Sequence, residues 1–149
     1  KEFRNKNIIT ISNENMNSIF EYDLGIFGHK RESFLKSWLN QPKRISLQYI
    51  ENQFIKGLGV IRKCGVGYKI GPLYCENEHI ANELFLSLLN YTKEGEKVYL
   101  DVPEINQKAV DLASKYNMQK SFETARMYTN LTVEYPIPKV FGVSSFELG

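Results

Sequence analysis

Apolar residues recur along this chain with two periods, and the switches between them mark out its elements. Ile8–Ile11 is a short β-branched run that predicts a strand. Ser12-Asn13 then offers helix-capping side chains ahead of Met16, Ile19 and Phe20 at helical spacing. Gly28 precedes a second helix with Phe34, Leu35, Trp38 and Leu39 on one face, and Pro42 stops it. From Ile45 the pattern reads as strands over Ile45–Ile50, Phe54–Lys63 and Val66–Cys75, joined by short turns into an antiparallel meander. The spacing of Ile80, Leu84, Leu88 and Tyr91 predicts a helix from Glu78 to Tyr91.

Lys97–Val102 alternates as a strand and leads through Pro103 into a helix carrying Ala109, Val110, Leu112 and Ala113, with Asn117 suited to its left-handed cap. Ser121–Thr129 and Val140–Leu148 are predicted as two further strands around Pro136-Ile137-Pro138. The expected order is β-α-α-β-β-β-α-β-α-β-β, an α/β (α+β) fold with a mixed, mostly antiparallel sheet and about four helices.

Composition narrows the setting. The 149 residues, 42% hydrophobic and 13% aromatic, suit one domain over 1–149. Nineteen Lys+Arg against seventeen Asp+Glu give a net charge of +2 without a basic block, which argues against nucleic acid as a partner. No apolar run approaches the roughly 20 residues of a membrane helix, so no membrane partner and a cytoplasmic setting are expected. Cys64 and Cys75 lack a CxxC or Cys/His spacing, so no metal is expected. The chain opens on Lys1 rather than Met, which suggests a fragment of something longer.

Particular motifs add a resemblance. Val98-Tyr99-Leu100-Asp101-Val102, Asn106-x-x-Ala109-x-x-Leu112, Tyr116-Asn117-Met118 and Phe122-Glu123-Thr124 resemble the fifth strand, fourth helix and sixth strand of the GNAT (Gcn5-related N-acetyltransferase) family. Ile70-Gly71-Pro72-Leu73-Tyr74 and the helix after it are similar to that family's fourth strand and third helix. Phe27-Gly28-x-x-Arg31-x-x-Phe34-Leu35-x-x-Trp38-Leu39, Thr124-Ala125-Arg126-Met127-Tyr128 and Phe141–Gly149 resemble the C-terminal domain of two-domain bacterial members.

The resemblance implies acetyl-CoA as acyl donor. Its pyrophosphate would sit on backbone N–H groups at the start of the third helix, in a loop of the form R/Q-x-x-G-x-G/A. Its pantetheine arm would need an open cleft between the fourth and fifth strands. Laid on Ile80–Phe85, that loop has Glu83 and Phe85 at its glycine positions, with Glu76, Glu78 and Glu83 around the helix start. The Tyr expected to protonate the leaving thiolate falls on Ala113. Tyr116 and Asn106 are the remaining catalytic candidates, with helix capping an alternative role for Asn106. Leu73, Tyr74, Ala81, Asn82 and Asn106 would contact the cofactor if CoA binds, and Tyr22, Asp23, Arg31, Asp101, Glu123, Arg126 and Tyr128 are candidates for the acceptor site. These acceptor candidates could equally form ion pairs within the domain.

The expectation is a domain with a degenerate acetyl-CoA loop, partnering a catalytic GNAT domain in the same or another chain and contributing acceptor binding or packing. The alternatives are an active N-acetyltransferase of a small amine or amino acid, and a non-catalytic interaction module.

Overall fold

The computed structural model describes residues 5–127, 129 and 134–147. Ten elements follow one another: β1 (Ile8–Thr10), α1 (Met16–Phe27), α2 (Glu32–Leu39), β2 (Arg44–Glu51), β3 (Phe54–Lys63), β4 (Tyr68–Cys75), α3 (Glu78–Leu89), β5 (Val98–Leu100), α4 (Gln107–Lys115) and β6 (Val140–Gly142). The strands form one six-stranded sheet in the order β1-β2-β3-β4-β5, with β6 also on β4. β1 to β4 run antiparallel, and the α3 crossover returns the chain so that β5 lies parallel to β4.

Helices cover both faces. On one, Leu47, Tyr49, Ile61, Ile70 and Leu73 of the sheet pack against Ile80, Leu84, Phe85 and Leu88 of α3 and Ala109 and Leu112 of α4. On the other, Leu58, Val60 and Tyr74 meet Met16, Ile19 and Ile26 of α1 and Leu35 and Leu39 of α2. The buried positions of α1 step by three or four residues, as a helix lying on a sheet requires. The glycines of β3 permit the close approach of α3. A Cβ at Gly57 would lie 2.7 Å from Leu84 Cδ1, and one at Gly59 would lie 2.9 Å from Leu88 Cδ1. Gly67 has φ +80° and a Cβ there would stand 2.2 Å from the Lys97 carbonyl oxygen, so only glycine lets β5 start beside β4.

The mixed sheet and its flanking helices agree with expectation, but the last third of the chain differs in detail. Residues 121–127, expected to open a strand, form no ladder and are exposed. The strand expected over Val140–Leu148 is only Val140–Gly142. The physical reason is burial against β4. Phe141 is completely buried there, whereas Phe122 remains 64% exposed.

Candidate functional site

β4 and β5 hydrogen-bond only from Tyr68–Ile70 to Val98–Leu100 and then part. Beyond the parting point, β6 takes the edge of β4 that β5 has left, with Leu73 opposite Gly142 and Tyr74 opposite Val140. Val143 N–H donates to the Asp101 carbonyl at 3.0 Å, so the segment is bonded to both sides of the split. A Cβ on Gly142 would lie 2.5 Å from Leu100 Cδ1 and 3.4 Å from Leu73 Cβ. The split between β4 and β5 is therefore filled by the chain's own residues 140–143, wedged between Leu73 and Leu100.

Asn106 secures this arrangement. Its backbone stands at the N-cap of α4, yet its side chain makes no capping bond. The amide instead donates to the carbonyls of Ile137 at 3.0 Å and Val140 at 2.8 Å. Capping accounts for the backbone position of Asn106 but not for its side chain, because the carbonyls leading into β6 compete for the amide.

A buried polar cluster lies on the α1/α2 side of β4. Arg31 donates from Nε to Asp23 Oδ2 at 2.7 Å and from a terminal nitrogen to Asp23 Oδ1 at 2.6 Å. It reaches the Tyr74 hydroxyl at 3.4 Å, and that hydroxyl lies 3.4 Å from Ser144 Oγ. The guanidinium stacks 3.7 Å from the centroid of Phe27. Burial is the largest single influence on Arg31 and works against its charge, but the hydrogen bonds and charge interactions with Asp23 and Tyr74 together outweigh it, so its pKa is raised. Burial also pushes the Tyr74 phenol up, against the pull of Arg31.

The other acceptor-site candidates disperse. The Tyr22 hydroxyl is buried without a hydrogen-bond partner among the described residues, and burial, helped by Cys75 and Glu76, holds it protonated far above its usual range. Asp101 accepts from Lys69 Nζ at 2.5 Å and from the Phe146 N–H at 3.2 Å, so it ties β4 and the chain's end to the exit of β5. Glu123 pairs with exposed Lys120. Arg126 contacts the Tyr135 hydroxyl and lies 4.1 Å from that ring's centroid. Tyr128 lies outside the described residues. Asp23, Arg31 and Tyr74 thus come together, and Arg126 meets Tyr74 only across a cavity of about 40 Å³ also lined by Ile26, Phe27 and Tyr135. Sequence reasoning missed Ser144, Tyr135 and Lys69, whose relevance comes from contacts between distant segments.

At the other face, α3 begins at Glu78, with the Asn77 side chain accepting from Ile80 N–H at 2.9 Å. This corrects the placement of the R/Q-x-x-G-x-G/A pattern. Ile80–Phe85 lies inside the helix, where backbone N–H groups beyond the first turn are already bonded. The residues at the helix start are Glu76–Ala81, which puts Glu76 at the basic or amide position, His79 at the first glycine and Ala81 at the final small residue. Glu76 pairs with Lys139 at 2.9 Å and Glu78 with Lys108 at 2.8 Å. Ala81 is buried, whereas Asn82 Oδ1 accepts from Tyr116 Oη at 2.7 Å and from Lys115 Nζ at 2.8 Å. Tyr116 thus spans from the end of α4 to α3, with its ring 4.9 Å from that of Phe85. These contacts flank an open groove of about 360 Å³ between α3 and α4. Among the described residues no group of His, Cys, Asp and Glu could hold a metal ion, and no helix is long and apolar enough to cross a membrane.

The family model described as an acetyltransferase (GNAT) domain matches residues 19–142. The chain belongs to the GNAT acetyltransferase family. It is 28% identical over 139 residues to holothin acyltransferase from Pseudoalteromonas sp. (strain SANK 73390), covering 93% of this chain and 47% of that protein. A putative acetyltransferase from Pyrococcus horikoshii superposes with TM-score 0.75 at 21% identity, over 95% of this chain and 46% of the other. An aminoglycoside 6'-N-acetyltransferase from Acinetobacter baumannii superposes with TM-score 0.64 at 13% identity, over 85% of this chain and 99% of its own. Both likenesses are of fold. The GNAT chain spans about half the length of the curated relative and of the Pyrococcus protein.

Proposed function

We propose that this GNAT domain does not take acetyl-CoA into its own sheet and serves a catalytic GNAT half, in the same or another chain, by supplying acceptor-side or packing surface. The observation that carries the reading is residues 140–143 hydrogen-bonded within the split between β4 and β5. In this family a pantetheine arm needs that space, and here it would have to displace a strand anchored by buried Phe141 and the Asn106 amide. The start of α3 supports the same reading. Glu76 and Glu78 satisfy the helix dipole from within the protein and hold Lys139 and Lys108 in ion pairs, so a pyrophosphate would have to compete with carboxylates for both the dipole and those lysines. The position after Leu112 is Ala113, which carries no proton to give a leaving thiolate.

The packing role draws support from exposed apolar side chains in the segments before and after α4, with Ile105 at 77%, Phe122 at 64% and Met127 at 88% exposure. The relatives' greater length leaves room for a second domain to cover them. The free thiols of Cys64 and Cys75 are in keeping with a reducing cytoplasmic setting.

Calorimetric titration of the chain with acetyl-CoA tests this reading, with no saturable heat expected at micromolar concentrations. Micromolar binding would overturn it and favour the second reading, an active N-acetyltransferase of a small amine or amino acid, which the named relatives make the natural rival. A parallel thermal-shift screen of amines and amino acids separates acceptor binding from packing alone, because only acceptor binding raises Tm.

A further inference from the structure

Three cations stand side by side across the sheet on its α1/α2 face, at the end of β4 away from the filled split. Arg44 of β2 is directly opposite Arg62 of β3, and Arg62 is directly opposite Lys69 of β4. Like charges in such cross-strand positions repel, and a fold normally relieves them with carboxylates. Lys69 has its carboxylate, Asp101, at 2.5 Å. Arg44 and Arg62 have none: among the described residues neither forms an ion pair.

Their surroundings make the missing charge conspicuous. The Arg44 guanidinium lies 3.9 Å from the centroid of the Trp38 ring and that of Arg62 lies 5.5 Å from the same centroid, so one indole holds both. Phe34 stacks on Trp38 with a centroid separation of 5.2 Å, and Trp38 Nε1 donates to the Gly71 carbonyl at 3.2 Å, which immobilises the indole. Arg44 donates once, to the Trp38 carbonyl at 2.9 Å. Arg62 Nε is buried and has no hydrogen-bond partner among the described residues. Burial, and then the charge of Arg62, bring the Arg44 pKa down to about 10, as expected for a cation lacking a counter-charge. Stacking on Trp38 accounts for two flat guanidiniums at this place, but it supplies no acceptor for the Arg62 Nε–H and nothing to offset the repulsion.

We infer that Arg44 and Arg62, braced on Trp38, form a binding site for an oxyanion: the phosphate or carboxylate group of a small molecule. A guanidinium presents parallel N–H donors that match either group in two-point fashion. One oxyanion between the two arginines would accept from their terminal N–H groups and neutralise the pair. The site lies on the opposite face of the sheet from α3 and is independent of whether acetyl-CoA binds.

Trp38 is the chain's only tryptophan, so its fluorescence reports this site directly. Inorganic phosphate and succinate are titrated separately at constant ionic strength made up with sodium chloride. A saturable change in Trp38 emission is expected with at least one probe. A response to phosphate alone assigns a phosphate-bearing ligand, and a response to succinate alone a carboxylate. Arg62→Gln and Arg44→Gln should each weaken the apparent affinity about tenfold or more. Lys108→Gln, which removes an exposed cation on α4, should leave it unchanged. The absence of a saturable response to either probe, or a response that survives Arg62→Gln, would overturn the inference. Should either arginine variant fail to fold, phenylglyoxal labelling of the unsubstituted chain decides the matter. Phosphate or succinate must slow modification at Arg44 and Arg62 relative to the other arginines by mass spectrometry, and equal labelling with and without both probes would refute the site.

Discussion

Removing the carboxylate of Asp23 tests whether the cluster beside β4 is architecture. The Asp23 side chain is 1% exposed and that of Arg31 10%, and the two share parallel hydrogen bonds of 2.6 and 2.7 Å. Deleting one partner of a buried pair strands the other charge, which costs about 3 to 5 kcal/mol. In Asp23→Ala the stranded Arg31 keeps its contacts with the Phe27 and Phe34 rings and the Tyr74 hydroxyl, which places the loss near the low end, about 3 kcal/mol. Arg31→Met preserves much of the stem packing but strands Asp23, whose carboxylate has no other hydrogen-bond partner among the described residues, so a loss of about 4 kcal/mol is expected. The double variant removes both charges, and its loss should fall short of the summed single losses by about 2 kcal/mol or more. Urea denaturation, which leaves electrostatics unscreened, measures all three. With a slope of about 2 kcal/mol per molar, Asp23→Ala should lower the midpoint by about 1.5 M. A loss under about 1 kcal/mol for Asp23→Ala, or additive single losses, would refute the account of Asp23 and Arg31 as a buried structural pair.

Two further predictions concern buried polar groups. Asn106→Ala should cost about 2 kcal/mol in the same assay, because it leaves the Ile137 and Val140 carbonyls without the donor that fixes the entry to β6, and a loss under about 0.5 kcal/mol would show the amide to be dispensable. Stability should also fall with alkaline pH. Burial raises the pKa of Cys75, Tyr22 and Tyr74 above the ordinary 9.0 and 10.0, so above those values the unfolded chain releases protons that the folded chain keeps, with up to about 1.4 kcal/mol lost per pH unit for each group. Urea midpoints that stay level from pH 8 to 10.5 would contradict that burial.

Local pattern carried much of this fold because burial on one face of a helix or strand is written in residue spacing. Met16, Ile19 and Phe20, or Ile80, Leu84 and Leu88, announce their helices before any partner is known. Which helix the glycines of β3 admit to close approach was decided only by the fold. The family resemblance rested on such local motifs, and the match over residues 19–142 agrees with it. The loop before α3 was misplaced because the amphipathic stripe continues from Ile80 through Phe85. Only the helix start at Glu78, capped by Asn77, sets the register.

The sequence by itself determined the elements up to α4 and the absence of a tyrosine after Leu112. The tertiary structure decided which strand owns the free edge of β4, that Asn106 reaches Ile137 and Val140, that Asp23 and Arg31 neutralise each other, and that Arg44 and Arg62 lack a carboxylate. The physical reason is range. Periodicity reports burial along one segment, whereas edge pairing and charge pairing depend on which distant residues arrive there. Ser121–Thr129 and Val140–Leu148 both alternate like strands, but only Val140–Gly142 combines a side chain buried completely at Phe141 with a glycine that fits between Leu73 and Leu100.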